Sequence, residues 1–194
     1  DVYADPTVVP RRGQREKRAE EAPHTGETRA MAMFQAIQDA QELALELDEN
    51  VIFLGEDIGA SGGVFRCFQG MQAKWGERVR PTPIAEQAII GAATGSALLG
   101  MRPVAEIMFC DFMGVCLDQV VNHAAKQRYM SGGATHVPMT IRTVAGGGIG
   151  GFGAQHSQST EAWLLHTPGL KIVYPSTPSE AKGLLLSCIF DEDP

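Results

Sequence analysis

The sequence predicts an α/β fold of the doubly wound kind, a mainly parallel sheet with helices on both faces. Short apolar runs alternate along the chain with longer segments of helical spacing. The runs are apolar throughout rather than alternately polar, as strands covered on both faces are. At 194 residues and 44% hydrophobic, the chain is long enough to bury one substantial core.

Each element follows from its residues. Residues 1–28 hold the charged run from Arg11 to Arg18, then Glu20 and Glu21, and few large apolar groups. Such a stretch buries too little to offset its ordering entropy, so it is expected to be a mobile arm, with docking on a partner as its other use. Residues 31–48 carry Met33, Phe34, Ile37, Leu43, Leu45 and Leu47 among good helix formers, which predicts a helix. Strands are expected at 51–54, 103–109, 139–144 and 170–174, and helices at 68–75, 86–99, 112–130 and 179–190. The 86–99 helix is rich in Ala and Gly, a composition that allows close packing on a neighbour.

Composition excludes several classes. A net charge of -7 leaves no surplus of Lys and Arg to neutralise phosphates, so a general nucleic-acid binder is not expected. No apolar run approaches a membrane span, and the first residues lack the apolar core of a secretory signal. Cys67, Cys110, Cys116 and Cys188 have neither C-x-x-C nor zinc-ligand spacing, so free thiols in a reducing compartment are expected.

In doubly wound sheets, ligands gather beyond the C-terminal ends of strands. Three regions there carry unusual chemistry. Glu86 opens the small-residue helix; an ordinary first-turn glutamate gains from the helix dipole. The apolar Ala88, Ile89 and Ile90 that follow would instead raise its pKa and suit it to proton handling. Residues 106–112 end a strand with Met108, Phe109 and Phe112, either as core or as a plate for a flat ring. The third region, 145–159, contains Gly148, Gly150 and Gly153 in G-x-G-x-x-G spacing. A dinucleotide site is rejected, because no long helix opens after Gly153 and no acidic residue ends the next strand. A serine-hydrolase elbow is absent around Ser157 and Ser159. His156 follows the glycines, as a solvated loop histidine or as a proton carrier.

Together these stretches resemble the β subunits of the branched-chain 2-oxo acid, pyruvate and acetoin dehydrogenase complexes. The resemblance spans 26–194 and is carried by several motifs in order. They include Gly55-Glu56-Asp57, Gly62-Gly63-Val64-Phe65-Arg66, Thr82-Pro83-Ile84 with Glu86, and Arg102-Pro103-Val104-Ala105-Glu106-Ile107. Leu117-Asp118-Gln119, His156-Ser157-Gln158-Ser159 and Pro168-Gly169-Leu170-Lys171 follow.

The resemblance implies a pyrimidine-binding domain over 29–194 that shares thiamine diphosphate with an α subunit, which holds the diphosphate and magnesium in a heterotetramer. Glu86 matches the glutamate that hydrogen-bonds the pyrimidine ring, Phe112 the aromatic stacked on it, and Met108 and Ile84 their neighbours. His156 matches a histidine of acyl transfer to the lipoyl group of the partner acyltransferase core. The implied reaction is oxidative decarboxylation of a 2-oxo acid. A structural potassium ion, held largely by backbone oxygens, is implied at Val137, Met139, Thr140, Cys188, Asp191 and Asp193. Location follows the source: cytoplasm if bacterial, mitochondrial matrix if eukaryotic.

The chain departs from the branched-chain pattern at Met108 and Phe112, where that subfamily has Gln and Tyr and pyruvate and acetoin relatives share Met and Phe. Segments 26–35 and 186–189 are branched-chain-like, so that substrate is favoured, with pyruvate or acetoin as the alternative. Family members continue into a second α/β domain, which these 194 residues do not include. A subunit-docking module without turnover is the reading from another class. A nicotinamide enzyme rests only on the glycine triplet, and transketolase-like enzymes lack the His156-Ser157-Gln158 match.

Overall fold

Four short strands, β1 (Val51–Gly55), β2 (Val79–Pro81), β3 (Arg102–Phe109) and β4 (Thr140–Val144), form a sheet in the order β2-β1-β3-β4. Every pairing is parallel. This is a computed structural model, and it describes residues 29–146 and 151–194. The arm at 1–28 and the glycines within 147–150 lie outside the described residues.

The pleat divides the core in two. On one face Val51, Phe53 and Val104 pack with Ala40, Ala44 and Leu45 of α1 (Met33–Leu47) and Leu185 and Ile189 of α7 (Pro178–Ile189). On the other, Leu54, Ala105 and Ile107 meet Ile89, Ile90 and Ala93 of α3 (Glu86–Leu98) and Met113 and Cys116 of α4 (Met113–Asp118). All five residues of β1 are buried, as an apolar run in a doubly covered sheet must be. The α/β, doubly wound architecture read from the sequence is the one observed.

Local chemistry sets the helix ends. Arg78 donates to the carbonyls of Leu45 (2.9 Å), Asp48 (2.5 Å) and Val51 (3.0 Å), satisfying acceptors that the end of α1 leaves open. Thr177 caps α7: its hydroxyl accepts from the Glu180 N–H at 3.2 Å, and Glu180 accepts from the Thr177 N–H at 3.1 Å. Pro178 occupies the first helical position, where no donor is missed.

Two expectations need correction. The helix expected over 112–130 is broken: Cys110–Phe112 is a 3-10 turn, Cys116 leaves helical geometry (φ -117, ψ 17), and Gln119–Ala124 forms a π-helix before α5 (Gln127–Met130). The strand expected at 170–174 is not formed. That segment stands off β4 across an apolar cavity of about 530 Å³, and the Lys171 N–H donates to the Pro194 carbonyl at 2.9 Å instead of to a strand. Before it, Gly169 (φ +104) lies so close to the Ala125 carbonyl that no side chain fits. Lastly, β2, α2 (Met71–Trp75) and α6 (Glu161–Leu165) are short, and periodicity over so few residues marked only α2.

Candidate active site

The C-terminal ends of β1, β2 and β3 converge on the start of α3. The Thr82 N–H donates to the Gly55 carbonyl at 2.9 Å, tying the loop that follows β2 to the end of β1. Gly55 must lack a side chain, because a Cβ there would stand 2.9 Å from the Glu106 Cβ on β3. The loop then exposes Ile84 (83%) and buries Glu86 (9%) two residues later.

Glu86 makes no side-chain hydrogen bond or ion pair among the described residues, although it is buried. Its charge reaches two neighbours. Burial, and next the Glu86 charge, push the Cys116 thiol up to about 11. Burial, followed by Glu86 and Asp57, also raises the Glu56 carboxyl above the usual glutamate range. Two carboxyl groups thus share one crevice, a setting in which one is driven toward its protonated form.

The raised Glu56 carboxyl has a consequence for stability. The folded chain holds this proton more tightly than the unfolded chain does, so the contribution of Glu56 falls as pH climbs from about 4.5 through the raised value. Replacing Glu56 by Gln is therefore expected to raise the melting temperature at neutral pH. The gain should shrink to nothing as pH drops below 4.5. A melting-temperature difference that stays constant across a titration from pH 4 to 8 would contradict it.

Beyond β3 the aromatic residues gather into a cluster that extends past Phe109 and Phe112. The pairing of β3 with β4 shifts register between Ile107 and Phe109, a bulge at Met108. Bulges re-aim side chains, and Met108 is half-exposed while both its neighbours are buried. Phe109 packs edge-to-face on Phe65 (5.4 Å), Phe112 (5.7 Å), Phe152 (5.6 Å) and His156 (5.1 Å). His156 also meets Phe112 at 5.1 Å. It is a packed imidazole on an aromatic wall, where a lone loop histidine is ordinarily solvated. The place of Glu56 beside Glu86 was not read from the sequence, where Glu56 stood only within the Gly55-Glu56-Asp57 motif at the end of β1.

The set named for potassium behaves differently. Both oxygens of Asp191 accept from the Lys171 ammonium at 2.6 Å, and Asp193 pairs with Arg128 at 2.6 Å and with Lys171 at 3.8 Å. The Asp191 carbonyl accepts from Arg102 at 3.0 Å, and the Val137 carbonyl from the Met139 N–H at 2.8 Å. Thr140 and Cys188 lie beside the same cavity. The Lys171 ammonium and the Arg128 guanidinium thus engage the two carboxylates of this set, leaving backbone oxygens as the groups that could hold a potassium ion. Among the described residues no group of three or more His, Cys, Asp or Glu is placed to hold a metal.

Comparison with known proteins places this geometry in a family. The family of the transketolase pyrimidine binding domain matches residues 29–194. The chain is 49% identical over 166 residues to the 2-oxoisovalerate dehydrogenase subunit beta of Pseudomonas aeruginosa, covering 85% of this chain and 47% of that one. It is 47% identical to the acetoin:2,6-dichlorophenolindophenol oxidoreductase subunit beta of Cupriavidus necator, covering 86% and 52%. To the pyruvate dehydrogenase E1 component subunit beta of Bacillus subtilis it is 48% identical, covering 84% and 50%. A solved split-gene transketolase, described as an inactive beta4 tetramer, superposes with a TM-score of 0.66 at 21% identity, over 86% of this chain and 50% of that one. That likeness shows the fold. The chain spans about half the length of the curated relatives it matches. By the family match over 29–194 and the architecture of its sheet, the chain belongs to the transketolase pyrimidine-binding domains.

Proposed function

We propose that the chain is the pyrimidine-binding part of the β subunit of a thiamine-diphosphate-dependent 2-oxo acid dehydrogenase. The observation that carries this reading is Glu86, a largely buried residue at the first turn of α3 whose carboxyl group has no hydrogen-bond or ion-pair partner among the described residues. A carboxyl group not engaged by its own chain is free to hydrogen-bond a ring nitrogen of a bound ligand. Glu86 would hydrogen-bond the aminopyrimidine of thiamine diphosphate, and Phe112, Met108 and Ile84 would pack against the ring. The cofactor, when bound, supplies the electron sink that decarboxylation of a 2-oxo acid requires. Glu86 holds a proton at the ring nitrogen, and His156 carries one during acyl transfer to a lipoyl group.

An α subunit completes the site by holding the diphosphate and magnesium. Exposed Ile84, together with Gly91, Ala92 and Gly95 on the open face of α3, supports a docked partner there. The lipoyl-bearing acyltransferase core is the second partner. No helix among the described residues is long and apolar enough to cross a membrane. The place of action is the cytoplasm in a bacterium and the matrix in a mitochondrion, the two settings of its relatives.

Branched-chain 2-oxo acids are the favoured substrates. Pyruvate or acetoin is the second reading, supported by Met108 and Phe112. The test combines the full β subunit with its α subunit, thiamine diphosphate, magnesium and an artificial electron acceptor. Carbon dioxide is measured from 3-methyl-2-oxobutanoate and from pyruvate, and acceptor reduction from acetoin. Fastest turnover of 3-methyl-2-oxobutanoate is expected. A stable complex that turns over none of the three supports a docking module instead.

A further inference from the structure

The residues that end β3 grip the histidine loop at four points. The Cys110 thiol donates to the Gln158 carbonyl at 3.1 Å, and the Cys110 carbonyl accepts from the Thr160 hydroxyl at 3.0 Å. One oxygen of Asp111 accepts twice from Gln158, from its backbone N–H at 3.2 Å and from its side-chain amide at 2.8 Å. Phe112 presses its ring on His156. The Gln158 carbonyl also accepts from the Gly146 N–H at 2.7 Å, closing the loop on the end of β4.

Of these contacts, only those of Asp111 involve a charged group. Hydrogen bonds to an ionised acceptor are stronger than neutral ones, and Asp111 accepts two of them from the same residue of the loop. Burial pushes the Asp111 carboxyl up, but the Gln158 hydrogen bonds, with the nearby His156 ring, outweigh it and hold the group below the ordinary aspartate range. His156 sits two residues before Gln158 and makes no side-chain hydrogen bond of its own among the described residues. Its orientation therefore rests on the two rings and on the fixed backbone after it.

We propose that Asp111 is the positioning residue for His156, holding Gln158 by its backbone and side chain so that the imidazole stays against Phe109 and Phe112. This rests on the dehydrogenase reading only for its kinetic consequence. Asp111 does not touch Glu86, so the two half-reactions separate: loss of Asp111 impairs transfer of the acyl group to the lipoyl carrier and spares decarboxylation scored with an artificial acceptor.

The experiment compares Asp111→Ala and Asp111→Asn in the assembled enzyme. Asn keeps an acceptor oxygen for both Gln158 donors; Ala keeps none. The first readout is amide hydrogen exchange of the peptide covering 152–160, with carbethoxylation of His156 followed by mass spectrometry. In Asp111→Ala both are expected to quicken by about tenfold, the scale of one lost charge-assisted hydrogen bond, while Asp111→Asn stays near the parent. The second readout is kinetic. Acyl transfer to a lipoyl domain should fall by at least about tenfold in Asp111→Ala at an unchanged artificial-acceptor rate, with Asn restoring most of it. Unchanged exchange and labelling in Asp111→Ala overturn the proposal, as does an equal fall in both half-reactions, or an Asn variant as impaired as Ala. If the parent enzyme turns over no substrate, the dehydrogenase reading fails, and exchange and labelling still decide whether Asp111 sets His156.

Discussion

Glu86→Gln is expected to lower the decarboxylation rate by about a hundredfold to ten-thousandfold, the range that a positioned acid or base contributes. Gln preserves the size of the side chain and a hydrogen-bonding end but cannot hold and release a proton. The loss should fall on kcat for every substrate tried, with artificial acceptor or lipoyl carrier alike, because both routes share the first half-reaction. Folding should not suffer. The Glu86 charge raises the neighbouring Glu56 carboxyl, so removing it relieves a like-charge cost. Measuring turnover and thermal unfolding together separates the two effects. A variant with wild-type turnover would remove Glu86 from the chemistry; one that merely unfolds would show it to be structural. The neighbouring thiol offers a third reading: without the Glu86 charge, the Cys116 thiol should titrate below its present value of about 11.

The sheet was legible because its strands are uninterrupted apolar runs, and runs such as Val51 to Leu54 in a chain of alternating helices have few other uses. The burial of Glu86 was legible for a related reason: Ile89 and Ile90 follow it within one helical turn and draw the start of α3 into the core. Residues 170–174 misled because Leu170, Ile172 and Val173 read as a strand, whereas pairing with β4 is a tertiary event that apolar character does not dictate. The helix expected from Phe112 to Met130 broke at Cys116, a residue with no propensity that announces a kink. For His156 the missing knowledge was spatial. Nothing local says that a loop histidine will lie on Phe109 and Phe112, more than forty positions earlier. The grip of Asp111 on Gln158 is equally non-local.

The strongest test of the scaffold beneath the site is the ion pair of Glu106 and Arg142. They are direct partners in the register of β3 and β4, they form a salt bridge, and their side chains are only 5% and 10% exposed. The Arg142 guanidinium also lies 5.2 Å over the Phe68 ring. Glu106 in turn packs against Gly55, at the end of β1 where the site begins. Replacing Arg142 alone by Met is expected to cost about 3–5 kcal/mol of stability, because it strands a carboxylate in the core. Replacing both, as Glu106→Leu with Arg142→Met, should recover most of that loss, since two apolar side chains avoid the desolvation that the pair must overcome. Chemical unfolding of the four proteins in a double-mutant cycle measures the difference. If the double variant is as unstable as Arg142→Met, the cost lies in lost packing on Phe68 rather than in the unpaired charge. If it is stable but inactive, the pair serves the site above it, holding Gly55 and hence the Thr82 loop where Glu86 can meet its ligand.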